Sequence, residues 1–167
     1  MAGKASLHEY QRNLSARLAN LEAGQAASRL GLQVGVDRWL VDLDDAGEVI
    51  PVPPITAVPL TRAWFAGVAN IRGTLYSVID FPAFLGGAPA AATDQARLLL
   101  IGEKYRMNSG LLIDRVLGLY RDEQLQRDDA TPSPWTAAQY IDKQNNRWKQ
   151  LNVRELVAHS DFLQVGI

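Results

Sequence analysis

Closely spaced β-strand patterns fill the chain from residue 29 onward, and they constrain its fold more than any other feature. Short runs of β-branched, aliphatic and aromatic residues alternate with turns rich in glycine, asparagine or aspartate. This spacing favours small barrels or a sandwich over βαβ units. Strands are predicted at residues 30–36, 39–43, 66–71, 74–81, 97–101, 109–113, 116–120, 139–142 and 148–152.

The strand pattern repeats weakly along the chain. Residues 29–35 (RLGLQVG) resemble residues 97–102 (RLLLIG), and a predicted hairpin follows each of them. The first of these hairpins is predicted to turn at Asp37 and Arg38. The repeat indicates two similar halves.

Two short helices and a flexible connection complete this division. The helices are predicted at residues 81–85 and 153–158, where each half ends. The small residues of 86–93 are typical of a surface connection. We therefore predict two lobes, at about residues 29–87 and 94–167, with a groove between them that suits binding.

The first 28 residues are predicted to be a helical extension. Residues 6–23 have helical periodicity, and Ser6 and Glu9 match a capping box. The helix either docks on its own domain or binds the groove of a partner, and the pattern is compatible with both. Its apolar stripe consists of Leu7, Tyr10, Leu14, Leu18 and Leu21.

The composition supplies few of the side chains that enzymes commonly use for catalysis. The 167 residues include no cysteine, and the two histidines, His8 and His159, lie near opposite ends of the chain. The carboxylates of Asp42, Asp44 and Asp45 lack the spacing of a calcium loop and are interpreted as solvated turn residues. No phosphate-binding or nucleophile motif occurs. We expect no enzymatic activity, no metal and no cofactor.

Charge and hydropathy also limit the partners. Seventeen basic and eighteen acidic residues give a net charge of −1, which argues against nucleic acids and anionic membranes. The longest uncharged stretches, 49–61 and 81–93, are too short for a membrane helix and contain prolines. Charged residues interrupt the first 30 residues, unlike a signal peptide. The pattern indicates a soluble intracellular protein.

The segment from residue 64 to 81 is the best candidate for a binding site. Its two strands flank a turn at Arg72 and Gly73, in which Asn70 tolerates turn geometry and Gly73 suits a positive φ. The turn presents a guanidinium, a planar fork of donors, at the tip of a hairpin. That group either pairs with Asp80 or Glu48 of its own chain or recognises another protein.

Three separated motifs resemble the CheW family of chemotaxis scaffold proteins. The central one is GVANIRG at residues 67–73, followed by VIDF at 78–81. Upstream, EVIP at 48–51 matches the family pattern, and so does GLLIDRV at 110–116 downstream. The resemblance covers about residues 29–158, with the motifs in the family's order.

This resemblance implies a fold of two small five-stranded SH3-like barrels and an adaptor without chemistry of its own. The adaptor would link the cytoplasmic tips of methyl-accepting receptors to the regulatory domain of a CheA-type histidine kinase. It would act in the cytoplasm, at the inner face of the membrane, without inserting into it. Carried over by position, Glu48, Gly67, Arg72 and Gly73 are expected to make signalling contacts, and Asn70 to shape the turn.

A narrower resemblance is to family members from type IV pilus twitching systems. It rests on the helical extension, on Trp64 and Phe65, and on Ala69 within the central motif. Two departures stand out: Ser77 replaces the family's proline, and the last hairpin has Gln-Leu-Asn at 150–152. Serine supplies an N–H that proline lacks, so we expect the replacement to be tolerated.

Two other classes of function compete with the adaptor. An enzyme would need perturbed carboxyl groups that converge in a pocket. A sensor module would bind a small ligand in an enclosed apolar cavity between the lobes, whereas an open groove favours the adaptor.

Overall fold

The structure, a computed structural model, describes residues 28–130 and 133–167. The predicted helix at 6–23 and His8 lie outside the described residues. The helices are α1 (Phe81–Phe84), α2 (Val153–Ala158) and α3 (Ser160–Leu163), with 3-10 turns at Glu103–Tyr105 and Asp122–Gln124. The strands are β1 (Ser28–Val34), β2 (Asp37–Asp42), β3 (Ala46–Pro51), β4 (Phe65–Ile71), β5 (Thr74–Asp80), β6 (Arg97–Ile101), β7 (Ser109–Ile113), β8 (Arg115–Arg121), β9 (Leu125–Asp128), β10 (Thr136–Asp142) and β11 (Arg147–Leu151).

The strands form two sheets built on the same plan. One has the order β3-β6-β7-β5-β4, and the other has the order β8-β1-β2-β11-β10-β9. In each sheet two antiparallel groups of strands meet through one parallel contact, β5 with β7 and β2 with β11. Strand β8 lies outside β1 and makes the second sheet six-stranded. The predicted mainly-β class with two similar units is confirmed, with six and five strands rather than five and five.

Each sheet contains strands from both halves of the chain. Strands β1 and β2 pair with β8 and β11, which lie more than seventy residues later in the sequence. The other sheet pairs β5 with β7 across the stretch at 86–93. That connection therefore does not separate the two sheets, although it runs along the surface as expected.

Three local predictions were wrong. The first hairpin turns at Gly35 and Val36, two residues before the predicted turn, because Gly35 adopts a φ of 60°. Strands β3 and β9 were not predicted, since each is an edge strand with little alternation of apolar and polar residues. Residues 122–128, for which no element was predicted, contain a 3-10 turn and β9.

One continuous core joins the sheets. Trp39 of the six-stranded sheet contacts Phe81, which follows β5, with ring centroids 5.7 Å apart. Both side chains are almost completely buried, as is Trp148. Other members of this core include Leu32, Val41, Ile79, Leu99, Leu111, Ile113, Leu151, Leu156 and Phe162.

A second core lies on the other face of the five-stranded sheet. It contains Ala69, Ile71, Val78, Leu98 and Leu100. Strands β5 and β6 consequently contribute side chains to both cores. The Ser77 N–H donates to the Asn108 carbonyl at 2.9 Å, a hydrogen bond that the family's proline cannot make.

The chain after β3 closes the five-stranded sheet on itself. Thr56 exchanges two backbone hydrogen bonds with Val68 of β4, at 2.8 and 2.9 Å, although β3 and β4 are opposite edges of the sheet. Gly67 makes this approach possible: its φ is 140°, and a Cβ there would lie 2.1 Å from the Thr56 carbonyl oxygen. The edge of β4 is covered as a result.

Replacing Gly67 with alanine is expected to destabilise the fold by about 3 kcal/mol or more, because backbone strain adds to a steric overlap that the backbone cannot avoid. Gly73→Ala is the matched control. Gly73 also has a positive φ of 85°, but a Cβ there has nothing within 4 Å. Chemical denaturation of both variants measures the difference, and equal losses would contradict the close-approach explanation.

Asp142 organises the last hairpin. Its carboxylate accepts hydrogen bonds from the indole Nε1 of buried Trp148 at 3.0 Å and from the backbone N–H groups of Gln144 and Asn146, both at 2.9 Å. Burial raises the pKa of this carboxyl, but the bonds from Trp148, Asn146 and Gln144 outweigh burial and hold the pKa below its ordinary value. The ionised form therefore stabilises the folded state.

Asp142→Ala is expected to reduce the free energy of unfolding at pH 7 by about 1–3 kcal/mol, because the Trp148 N–H loses its partner. The difference from the wild type should shrink as the pH falls through the lowered pKa of Asp142, below the ordinary value of about 3.9. Urea denaturation between pH 7 and 3 measures it, with exposed Asp129→Ala as the control. A difference independent of pH would refute the role of the ionised carboxylate.

Candidate functional site

The candidate site is the tip of the β4–β5 hairpin. Arg72 and Gly73 form its turn with φ angles of 50° and 85°. The Asn70 side-chain oxygen accepts a hydrogen bond from the Gly73 N–H at 2.9 Å, which holds the turn from within. A left-handed arginine followed by glycine matches the type I′ geometry of tight hairpins.

The guanidinium at this tip forms a two-pronged ion pair with Glu48. Arg72 Nη1 lies 3.2 Å from Glu48 Oε1, and Nη2 lies 2.5 Å from Oε2. Of the two partners that the sequence allowed, Glu48 is the one used. Asp80 is instead buried and accepts hydrogen bonds from the Ala83 and Ala90 N–H groups, so it serves helix α1 and the connecting loop.

The ion pair joins the two edges of the five-stranded sheet. Glu48 belongs to β3, whereas Arg72 follows β4 at the opposite edge. The sheet therefore curls until its edge strands meet, and the pair lies on the rim of the resulting barrel-like unit. The contact depends on tertiary structure, because 24 residues separate the two side chains in the chain.

Both partners remain accessible to another protein. The side chains of Arg72 and Glu48 are 69% and 49% exposed. The hydrogen bond from Arg72 lowers the pKa of Glu48, and the same bond raises the pKa of Arg72. Both groups are thus charged at neutral pH, and the pair offers a fork of donors beside a carboxylate to a binding surface.

The structure brings four of the five predicted residues together. Glu48 contacts Arg72, and Asn70 contacts Gly73 within the same turn. Gly67 lies further along β4, beneath the chain at Thr56, where its contribution is to backbone packing.

Sequence reasoning missed Leu75 as part of this surface. Leu75 lies on the same face of β5 as the buried Ile79, yet it is 62% exposed. Burial along β5 rises steadily from Thr74 to Asp80, so the hairpin tip projects beyond the core. The alternation of residues along β5 does not show where the strand extends beyond the core. An exposed leucine beside a charged pair is typical of a protein-recognition surface.

The described residues contain no arrangement for metal-dependent chemistry. In residues 28–130 and 133–167 no group of three histidine or acidic side chains could hold a metal ion. Asp42 pairs with Arg29, and Asp45 with Lys104 and Tyr105. Among the helices in this part of the chain, none is long and apolar enough to cross a membrane.

A groove of about 560 Å³ lies between α1, the loop before β10 and the C-terminal helices. Aromatic side chains of Trp64, Phe84 and Trp135 line it, and its rim carries exposed residues that include His159. It is open to solvent, which favours binding of a macromolecule over an enclosed small ligand.

Comparisons with known proteins agree on one family. Residues 29–161 match the CheW-like domain. The chain is 31% identical over 163 residues to Protein PilI of Pseudomonas aeruginosa, covering 93% of this chain and 90% of that protein. It is 29% identical to the chemotaxis protein CheW of Thermotoga maritima, covering 59% of this chain and 64% of that one.

A solved structure shows the same fold. The scaffolding protein TtCheW of Thermoanaerobacter tengcongensis superimposes with a TM-score of 0.67 at 16% identity, covering 81% of this chain and 94% of that chain. The strand plan, the hairpin motif and the match over most of the chain lead to one conclusion. The chain belongs to the CheW-like domain family, and it is a non-enzymatic scaffold of chemosensory signalling.

Proposed function

We propose that this protein couples methyl-accepting chemoreceptors to a CheA-type histidine kinase in a system that controls type IV pilus twitching motility. It binds the cytoplasmic tip of the receptors and the regulatory domain of the kinase, in the cytoplasm at the inner face of the membrane. The similarity to PilI over 93% of the chain supports the pilus system.

The observation that carries the proposal is the exposed Arg72–Glu48 pair on a rigid hairpin. The turn is held by Asn70, and β5 is anchored in two cores, so the guanidinium is presented with little conformational freedom. Preorganisation of this kind lowers the entropic cost of binding. When another protein binds, Arg72 exchanges Glu48 for a group of that protein. Because the side chains of Arg72 and Glu48 are both exposed, this exchange leaves no buried charge unpaired.

Two similar units give the chain more than one binding face. The Arg72 tip belongs to the five-stranded unit, while the six-stranded unit leaves β8 and β9 as edges. A scaffold that binds receptor and kinase simultaneously needs separate faces, and modest contacts become strong when many copies assemble. The open groove fits this arrangement better than a sensor of small ligands.

Isothermal titration with the CheA-type regulatory domain and with a receptor-tip fragment from the same genome tests the proposal. We expect saturable binding in the micromolar range to both. Absence of binding to both, with folded protein, would refute the coupling role. Deletion of the gene should abolish twitching and spare swimming; the reverse result would assign the protein to flagellar chemotaxis.

Arg72→Ala is expected to weaken binding to the receptor or the kinase by about tenfold or more, since a charged group at a preorganised interface is lost. The thermal midpoint should change little, because both members of the pair are exposed. Arg147→Ala, an exposed arginine in the six-stranded sheet, is the control. A lowered midpoint with intact binding would make Arg72 a structural residue.

A charge exchange separates the two roles of the pair. The double variant Glu48→Arg with Arg72→Glu preserves the ion pair but moves the guanidinium from the hairpin tip to β3. If the tip contacts a partner, calorimetry will show that the double variant binds as weakly as Arg72→Glu. Restored binding would show that the intramolecular pair alone matters.

A further inference from the structure

Exposed apolar residues occur on the chain segments that flank the aromatic groove. Trp64 and Phe84 pack edge to face at 5.0 Å within the groove, and three exposed apolar residues follow or precede its lining residues Arg62 and Asp161 in the chain. Leu60 is 79% exposed, Leu163 is 53% exposed and Ile167 is 85% exposed. Together with Trp64, Phe84 and Trp135 these residues define the apolar groove surface.

Backbone hydrogen bonds hold this surface in place. The Arg62 N–H donates to the Val165 carbonyl at 2.8 Å, and the Ile167 N–H donates to the Leu60 carbonyl at 3.1 Å. The C-terminal residues thus form a short antiparallel ladder with the chain before β4. Exposed apolar side chains on an ordered backbone are typical of an interaction site.

Two strained residues point to the same surface. Leu60 and Trp135 have φ angles of 59° and 65°, and they are the large apolar members of the described non-glycine residues with positive φ. Bulky side chains rarely adopt this conformation, which costs free energy and persists where function requires it. Trp135 lines the groove, and the Leu60 carbonyl accepts the backbone hydrogen bond from Ile167.

The chain itself carries an occupant of suitable chemistry. Residues 6–23, with the apolar stripe Leu7, Tyr10, Leu14, Leu18 and Leu21, precede the described part of the chain. The stripe suits a helix laid into an apolar groove. The segment carries two arginines and two glutamates, and the groove is lined by Arg62 as well as by Glu155 and Asp161, so net charge does not oppose the docking.

Strand register shows that the segment can reach the groove. Arg29 pairs with Asp42 of β2. Strand β11 runs parallel to β2 and ends at the same level, and its neighbour Asn152 donates to the Trp135 carbonyl at 2.7 Å. Three strand spacings of about 4.8 Å therefore separate Arg29 from Trp135, roughly 14 Å. Four extended residues, 24–27, span up to ~14 Å.

We propose that residues 6–23 dock as an amphipathic helix on the apolar groove surface of the same chain. The four residues 24–27 form the hinge. The interaction is intramolecular, so a high effective concentration compensates for a small contact. It does not depend on the coupling function proposed above.

Crosslinking in the full chain tests the docking, because the wild type has no cysteine. Leu7, Leu14 and Leu21 are replaced by cysteine one at a time, each together with Glu155→Cys at the groove rim. A flexible bismaleimide then joins neighbouring thiols. We expect an intramolecular crosslink from at least one of these pairs, at a yield independent of protein concentration. The control replaces Glu155→Cys with Leu75→Cys, an exposed leucine at the distant hairpin tip.

Each result decides the question. Crosslinked dimers at Glu155 would show that a second copy supplies the helix, which overturns the intramolecular proposal. Equal yields at Glu155 and Leu75 would show that the segment has no preferred site, and so would no crosslink at either. With equal yields, or with no crosslink at either position, the apolar groove surface would remain free for a partner helix.

Acrylamide quenching of tryptophan fluorescence gives an independent readout. Trp39 and Trp148 are 2% exposed, so quenching reports mainly on Trp64 and Trp135 in the groove. The double variant Leu14→Asp with Leu18→Asp should raise the quenching constant roughly twofold by releasing the helix. Asn13→Asp with Ser15→Asp, off the stripe, is the control. An unchanged constant in the first variant would refute the docking.

Discussion

The contact between Trp39 and Phe81 is the interaction on which the rest of the structure depends. Trp39 belongs to the six-stranded sheet, and Phe81 stands where the last strand of the β4–β5 hairpin becomes helix α1. Burial of two large aromatic side chains supplies several kcal/mol of hydrophobic free energy at one point. The two sheets therefore share one core.

This shared core explains how the β4–β5 hairpin holds its tip in a fixed position. Strand β5 places Ile79 in the main core and Val78 in the second core, so its C-terminal end is held on both faces. Its other end projects beyond the core and carries Arg72 at the tip. A hairpin anchored in the core at one end presents a side chain at its other end that is held in place yet largely exposed, as a scaffold without chemistry requires.

Much of the site could be predicted because its signals are local. Asn70, Arg72 and Gly73 lie within four residues, and the preference of glycine and asparagine for left-handed turns identifies a tight hairpin. The partner of Arg72 could not be chosen from the pattern. Glu48 and Asp80 were equally available in the sequence, and only the curling of the sheet brings β3 to the hairpin tip. The exposure of Leu75 has the same origin, because the pattern of a strand does not show where its sheet ends.

The sequence by itself determined nine of the described strands, the two short helices after β5 and β11, and the turn chemistry of the hairpin. Each of these depends on interactions between neighbours in the chain. Tertiary structure alone decided that β1 and β2 join β8 and β11, that edge strands β3 and β9 exist, and that Glu48 pairs with Arg72. These features depend on contacts between residues far apart in sequence. The free energy of such contacts is set by the packing of the whole core, and neither contacting segment shows it in its pattern of apolar and polar residues.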